Sequence, residues 1–214
     1  MNMKISKLVI STLILNHATV NAQIPDGLVG YTHYLELAPI DNTGTSIVGS
    51  IGSWSWEDRD LGENVFWRHQ SDWIAIRLTE PSNLNLEVVR NNTERDSSKL
   101  FPSFTLYNSF NDSAEGAHFG DNTSDIQWDD NSQLLTYLEH LDNSTFGTIN
   151  ETITLPAGDY TILLGGNATA EASPVMVDYT ATFSVTPIPE SSTTILGLLA
   201  GFAFLAHRKR STKH

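Results

Sequence analysis

Apolar and polar residues alternate at period two along much of the chain. The runs are Tyr31-His33-Leu35-Leu37, Ile74-Ile76-Leu78, Leu84-Leu86-Val88, Tyr160-Ile162-Leu164 and Val177-Tyr179-Ala181-Phe183-Val185. Successive side chains of a strand point to opposite faces, so each run predicts a strand with one face in a core. Turn-forming clusters separate them, among them Glu80-Pro81-Ser82-Asn83, Leu155-Pro156-Ala157-Gly158-Asp159 and Gly165-Gly166-Asn167. Short strands between frequent turns predict a mainly β fold, an antiparallel β-sandwich of jelly-roll-like form. One stretch departs from period two. Leu134, Leu135, Leu138 and Leu141 share a helical face over 132–141, and Asn131 is placed to cap it, which predicts one short helix.

The two ends have a different pattern. Lys4 and Lys7 precede an apolar run from Leu8 to Leu15, and Val20-Asn21-Ala22 follows with compact residues at the last and third-last positions. That order is a secretory signal peptide over residues 1–22, cut after Ala22; the run is too short to span about 30 Å of hydrocarbon. At the other end Pro187-Ile188-Pro189-Glu190 leads into an uncharged stretch from Thr193 to Ala206 and then His207-Arg208-Lys209-Arg210. A short apolar helix followed by a basic cluster is the layout of a membrane anchor whose basic end stays cytoplasmic. Residues 187–214 resemble the PEP-CTERM sorting signal that Gram-negative bacteria process with an exosortase, although Ser191 stands where that signal has its second proline. The resemblance implies signal peptidase and exosortase as processing partners, transient inner-membrane anchoring through the tail, and a final place at the cell surface, outer membrane or extracellular matrix. The sandwich domain is then residues 23–186, one domain's worth of chain.

Charge narrows the partners. The body, residues 23–190, carries 25 acidic residues against six basic ones, Arg59, Arg68, Arg77, Arg90, Arg95 and Lys99. Such a field repels nucleic acid and anionic lipid and attracts cations. The chain contains no cysteine, which removes thiolate metal sites, cysteine nucleophiles and disulfides.

Four histidines lie in the body: His33, His69, His118 and His140. His69 stands in Phe66-Trp67-Arg68-His69, and an extended chain there would turn Trp67 and His69 to one side. His118, in Glu115-Gly116-Ala117-His118-Phe119-Gly120, sits in a glycine-flanked loop after a predicted strand around Phe104-Leu106. His33 and His140 read as ordinary polar positions. The Trp67-x-His69 element with the distant His118, and the text around Trp73-Ile74-Ala75, Leu100 to Tyr107 and Leu155 to Gly158, resemble the copper-repressible surface copper(I) proteins of methanotrophic bacteria, the CorA/MopE group. In that family two histidines and a kynurenine, an oxidised tryptophan two residues before the first histidine, hold copper(I). The resemblance implies copper acquisition or storage, with Trp67, His69 and His118 as ligands. The chemistry is consistent: imidazole suits copper(I) where thiolate is absent, and kynurenine offers an amine and a ketone that indole lacks.

Asp121, Asp125, Asp129 and Asp130 pack oxygen ligands densely enough to make calcium a second candidate ion, without the spacing of an EF-hand. No Gly-x-Ser-x-Gly elbow, His-Glu-x-x-His or phosphate loop is present, so the expected role is not enzymatic. A second reading is a matrix protein that contacts carbohydrate through exposed Trp54, Trp56 and Trp128.

Overall fold

A computed structural model of the chain describes residues 24–25, 28, 30–39, 44–58, 60, 62–91, 100–110, 119–127, 134–168 and 175–188. The signal peptide and sorting signal expected from the sequence lie outside these residues, Pro187 and Ile188 excepted. Among the described residues no helix is long and apolar enough to cross a membrane.

The elements are β1 (His33–Leu37), β2 (Thr45–Gly52), β3 (Val65–Trp67), a 3-10 turn (Arg68–Gln70), β4 (Asp72–Leu78), β5 (Ser82–Arg90), β6 (Pro102–Asn108), β7 (Phe119–Asp121), β8 (Ile126–Gln127), β9 (Leu134–Leu141), β10 (Thr148–Leu155), β11 (Gly158–Gly166) and β12 (Met176–Pro187). A six-stranded sheet has the order β1-β4-β11-β6-β9-β8, a four-stranded sheet the order β10-β5-β12-β2, and β3 pairs with β7 as a separate ribbon. Only the β1–β4 pair is parallel among these ladders. The fold is a β-sandwich, as the alternation predicts.

The runs read from the sequence supply the inter-sheet core. Ile74, Ile76, Ile162, Leu164 and Leu106 of the six-stranded sheet meet Leu84, Leu86, Val88, Ala181 and Phe183 of the four-stranded one, all fully buried. The intervening residues are buried too. Trp73, Ala75, Leu163 and Tyr107 point to the opposite face of the larger sheet and pack in a second cluster with Leu28, Tyr31, Trp56, Phe66 and Leu135. Strands β4, β6 and β11 are thus covered on both sides.

The helix expected over 132–141 is a strand. Residues 134–141 form β9, which pairs with β6, while 131–133 lie outside the described residues. The register explains the misleading spacing: Leu106 faces Glu139 and its neighbour Tyr107 faces Tyr137, so Leu138 is an extra residue. Such a bulge switches the parity of inward and outward positions midway along the strand. Leucines at 134, 135, 138 and 141 then mimic a helical face.

One polar bond crosses the sandwich. The Tyr179 hydroxyl on β12 donates to the buried Asp72 carboxylate on β4. Gly49 on β2 leaves the room, since a Cβ there would stand 2.5 Å from Asp72 Oδ2. Burial raises the Asp72 carboxyl above its ordinary 3.8, against the Tyr179 hydrogen bond, the His33 charge and the Thr32 hydroxyl, which lower it. Burial likewise lowers the His33 imidazole, against the opposing pull of Asp72. The folded state therefore holds the Asp72 proton more tightly than the unfolded chain does, and this contribution to stability is lost as pH rises through the raised value. Asp72→Asn keeps an oxygen for Tyr179 and cannot ionise. Its stability relative to the parent should rise between about pH 4 and about pH 7 in urea unfolding; a constant difference would refute the assignment.

Candidate metal centre

The ribbon that carries the sequence-predicted ligands is built on the outer face of the six-stranded sheet. Its register is Val65 with Asp121, Phe66 with Gly120, and Trp67 with Phe119. A two-stranded ribbon of three residues a side is too short to hold itself together in water. Phe66 supplies the missing stability. Its ring is fully buried and meets Trp73 of β4 edge to face at a centroid distance of 5.8 Å. Gly120, opposite Phe66, has no side chain because that ring fills the place: a Cβ would lie 2.2 Å from Phe66 Cζ.

Hydrogen bonds fix the other end. Asn122, wholly buried, receives through its backbone a bond from Thr105 Oγ1 at 2.7 Å, donates its own N–H to Asn64 O at 3.0 Å, and donates its side-chain amide to Trp56 O at 2.6 Å. Trp56 in turn donates its indole N–H to Thr105 Oγ1 at 3.1 Å. The Tyr107 hydroxyl donates to Asp121 O at 2.9 Å. One strand of the sheet, β6, thereby grips the segment before β3 and the segment after β7.

Beyond Trp67 the chain does not stay extended. It enters the 3-10 turn Arg68–Gln70, so the expectation that Trp67 and His69 share a side by strand alternation does not hold. His69 is exposed in that turn. The turn is tied down after it, where Ser71 Oγ donates to Ser55 O at 2.8 Å, and Gln70 lies over Gly52, where a Cβ would stand 2.3 Å from its Oε1. His118 lies outside the described residues, but it is bonded to Phe119, the residue opposite Trp67.

The other candidates divide. Asp121 Oδ1 already accepts the backbone N–H and hydroxyl of Thr123 at 2.8 and 2.9 Å. Burial raises its pKa, but hydrogen bonds from Thr123 and Ser124 outweigh this and hold the carboxyl below its usual range. Asp125 Oδ1 accepts the Tyr137 N–H at 2.7 Å. Both carboxylates are thus engaged, Asp121 in its own turn and Asp125 with β9, and Asp129 and Asp130 lie outside the described residues. Among the described residues no three His, Asp or Glu side chains come together at metal-binding range.

Two histidines read as ordinary have specific settings. His140 bonds the Tyr137 hydroxyl through Nδ1 at 2.7 Å and lies over Trp56 at 5.8 Å between ring centroids. His33 faces the inter-sheet Asp72. The contacts of His33 with Asp72 and of His140 with Trp56 were not visible locally, because those partners are far away in the chain, whereas Tyr137 is three residues from His140. The aromatic platform expected of Trp54 and Trp56 is absent: Trp56 is 2 % exposed and roofs the outer core, and Trp54 is half-buried with its indole N–H sequestered. Trp128 lies outside the described residues.

Because Phe66 is clamped between Gly120 and Trp73, Gly120→Ala must push a rigid ring rather than a flexible tip. It is expected to cost about 1–3 kcal/mol in denaturant unfolding. An unchanged midpoint would mean that the ribbon does not rest on this contact.

No family model matches the chain, and no curated protein matches it either. Solved structures do. CorA, a surface-associated copper-binding protein important in Methylomicrobium album BG8 copper acquisition, superposes with a TM-score of 0.51 at 14% identity, over 70% of this chain and 97% of that one. MopE, a secreted protein of Methylococcus capsulatus in which an oxidized tryptophan facilitates copper-binding, gives a TM-score of 0.45 at 14% identity, over 77% and 88%. The pre-peptidase C-terminal domain of a Bacillus anthracis collagenase gives 0.34 at 12% identity, over 72% and 94%. At such identity, what the likeness to CorA establishes is the β-sandwich fold.

Proposed function

We propose that this chain is an exported, surface-associated protein that binds copper(I) for acquisition or storage, through Trp67 as kynurenine, His69 and His118. The observation that carries the reading is the β3–β7 register. Residues 49 positions apart in sequence, His69 and His118, flank a paired Trp67 and Phe119. The resemblance in the Trp67-x-His69 text and the shared fold with CorA, itself a copper-binding surface protein, point the same way. Copper(I) is soft and accepts few ligands, so two imidazoles and one further donor suffice. Conversion of Trp67 to kynurenine consumes dioxygen: the indole C2–C3 bond breaks, each carbon gains one oxygen atom, and hydrolysis of the resulting formyl group releases formate. The new aromatic amine is the third donor. Export is consistent with the two terminal signals and with the absence of cysteine, and a non-enzymatic role with the likeness to CorA, a copper-binding protein. Calcium remains the candidate second ion at Asp121, Asp125, Asp129 and Asp130, although Asp121 and Asp125 are already engaged in hydrogen bonds.

Protein isolated from its native host should carry one tightly held copper per chain and should yield a Trp67 peptide with the mass of kynurenine. His69→Ala and His118→Ala should each weaken binding by at least tenfold, and the double variant should abolish it, all without loss of the folded state because His69 is exposed. Parental copper stoichiometry in the double variant would end the proposal. An unmodified Trp67 in copper-loaded host protein would remove kynurenine from it and leave the histidines.

A further inference from the structure

The outer face of the four-stranded sheet differs chemically from the rest of this acidic molecule. On β10 every second position, from 148 to 154, is an exposed Thr or Asn. Register places Thr152 opposite Asn85 and Thr154 opposite Asn83 on β5, and these rows continue to Ser184 and Thr186 on β12. At the outward positions of the four strands the only charged side chains are Glu87 and Asp178, and no aromatic ring is present. Against a body with 25 carboxylates, this is a nearly neutral plane.

The hydroxyls and amides are already oriented. Thr152 Oγ1 donates to Asn85 Oδ1, and Thr154 Oγ1 to Asn83 Oδ1, both at 2.7 Å. The Ser46 and Thr182 hydroxyls are bonded at 2.9 Å in another row. Each Thr–Asn pair spends the hydroxyl hydrogen and one amide lone pair. It leaves the Thr oxygen as an acceptor beside an Asn NH2 with hydrogen to donate, although Asn85 already gives one amide hydrogen to Ser184 Oγ at 3.5 Å. The pairs recur about 6.8 Å apart along a strand, on strands about 4.8 Å apart. An acceptor next to a donor, repeated on a face whose outward charges are Glu87 and Asp178 alone, suits a ligand whose hydroxyls each donate and accept and whose unit repeats. A polyanion or polycation gains nothing here. Single exposed hydrogen bonds are weak because water competes, so a repeating chain that engages many at once is the partner this face favours.

We propose that the outer face of the β10-β5-β12-β2 sheet binds a neutral polysaccharide lying across its strands, by hydrogen bonding rather than by ring stacking. The full exported chain is incubated with insoluble cellulose, chitin and β-1,3-glucan, and the sedimented fraction is measured. Retention is expected on at least one polymer, equal in low and high salt and equal with and without copper. Asn83→Val with Asn85→Val should reduce it several-fold at an unchanged melting temperature. Should that pair lower the melting temperature, Thr152→Val with Thr154→Val, which preserves shape, is read in its place with the same expectation. Absence of retention on all three polymers, retention abolished by salt, or parental retention in the variant read would overturn the proposal. So would inhibition of ice recrystallisation, lost in the same variants, without retention on any polymer, which would assign the face to an ice lattice.

Discussion

The central strands of the larger sheet have no free face, and much of the molecule follows from that. Strands β4, β6 and β11 lie between two apolar layers, so nearly every residue of Asp72–Leu78 and Pro102–Asn108 is buried. One layer is the four-stranded sheet. The other is assembled from pieces with little regular structure of their own: Leu28 and Tyr31 before β1, Trp56 in the turn after β2, and Phe66 in β3. Burial of a Leu or Phe side chain contributes roughly 1.5–3 kcal/mol, so these four side chains can hold down segments that no ladder joins to the larger sheet beneath them. A chain without disulfides depends on such anchoring for its loops.

That double burial also marks how far the sequence could be read. Alternation revealed the inter-sheet core because Ile74, Ile76, Ile162 and Leu164 are apolar beside a polar or small residue. It concealed the outer core, since Trp73, Ala75 and Leu163 occupy the positions that a half-buried strand would give to solvent. Trp56 shows the cost. With no strand around it, its indole read as an exposed platform, whereas its N–H is spent on Thr105 and its ring closes the outer core. In β9 the cause was different. A single inserted residue, Leu138, switched parity and made a strand look like a helix.

The candidate ligands were legible as residues and illegible as an arrangement. Trp67, His69 and His118 stand out by type and context, but what relates Trp67 to the segment that begins at Phe119 is a register between two three-residue strands, and neither strand has a periodicity to detect. The local geometry was also misjudged. Strand alternation past Trp67 would have set His69 by parity, but the chain turns at Arg68, and the position of His69 is governed by the turn and by the Ser71–Ser55 bond that follows it.

The same construction reconciles rigidity with access. A metal site needs donors held in place, and a site that loads from outside also needs them open to solvent. Here the two demands fall on adjacent residues. Phe66 is fully buried against Trp73, and three positions later His69 is exposed. The ribbon takes its geometry from the sheet beneath through Phe66, Asn122 and Tyr107, none of which is a candidate ligand, and β3 ends at Trp67, two residues before His69. Had the histidines lain in the middle of β4 or β11, the two cores would have sealed them from any ion. The edge of an anchored ribbon is one place in this fold where an imidazole can be both held and reachable; His140, exposed on β9 and bonded to Tyr137, is another.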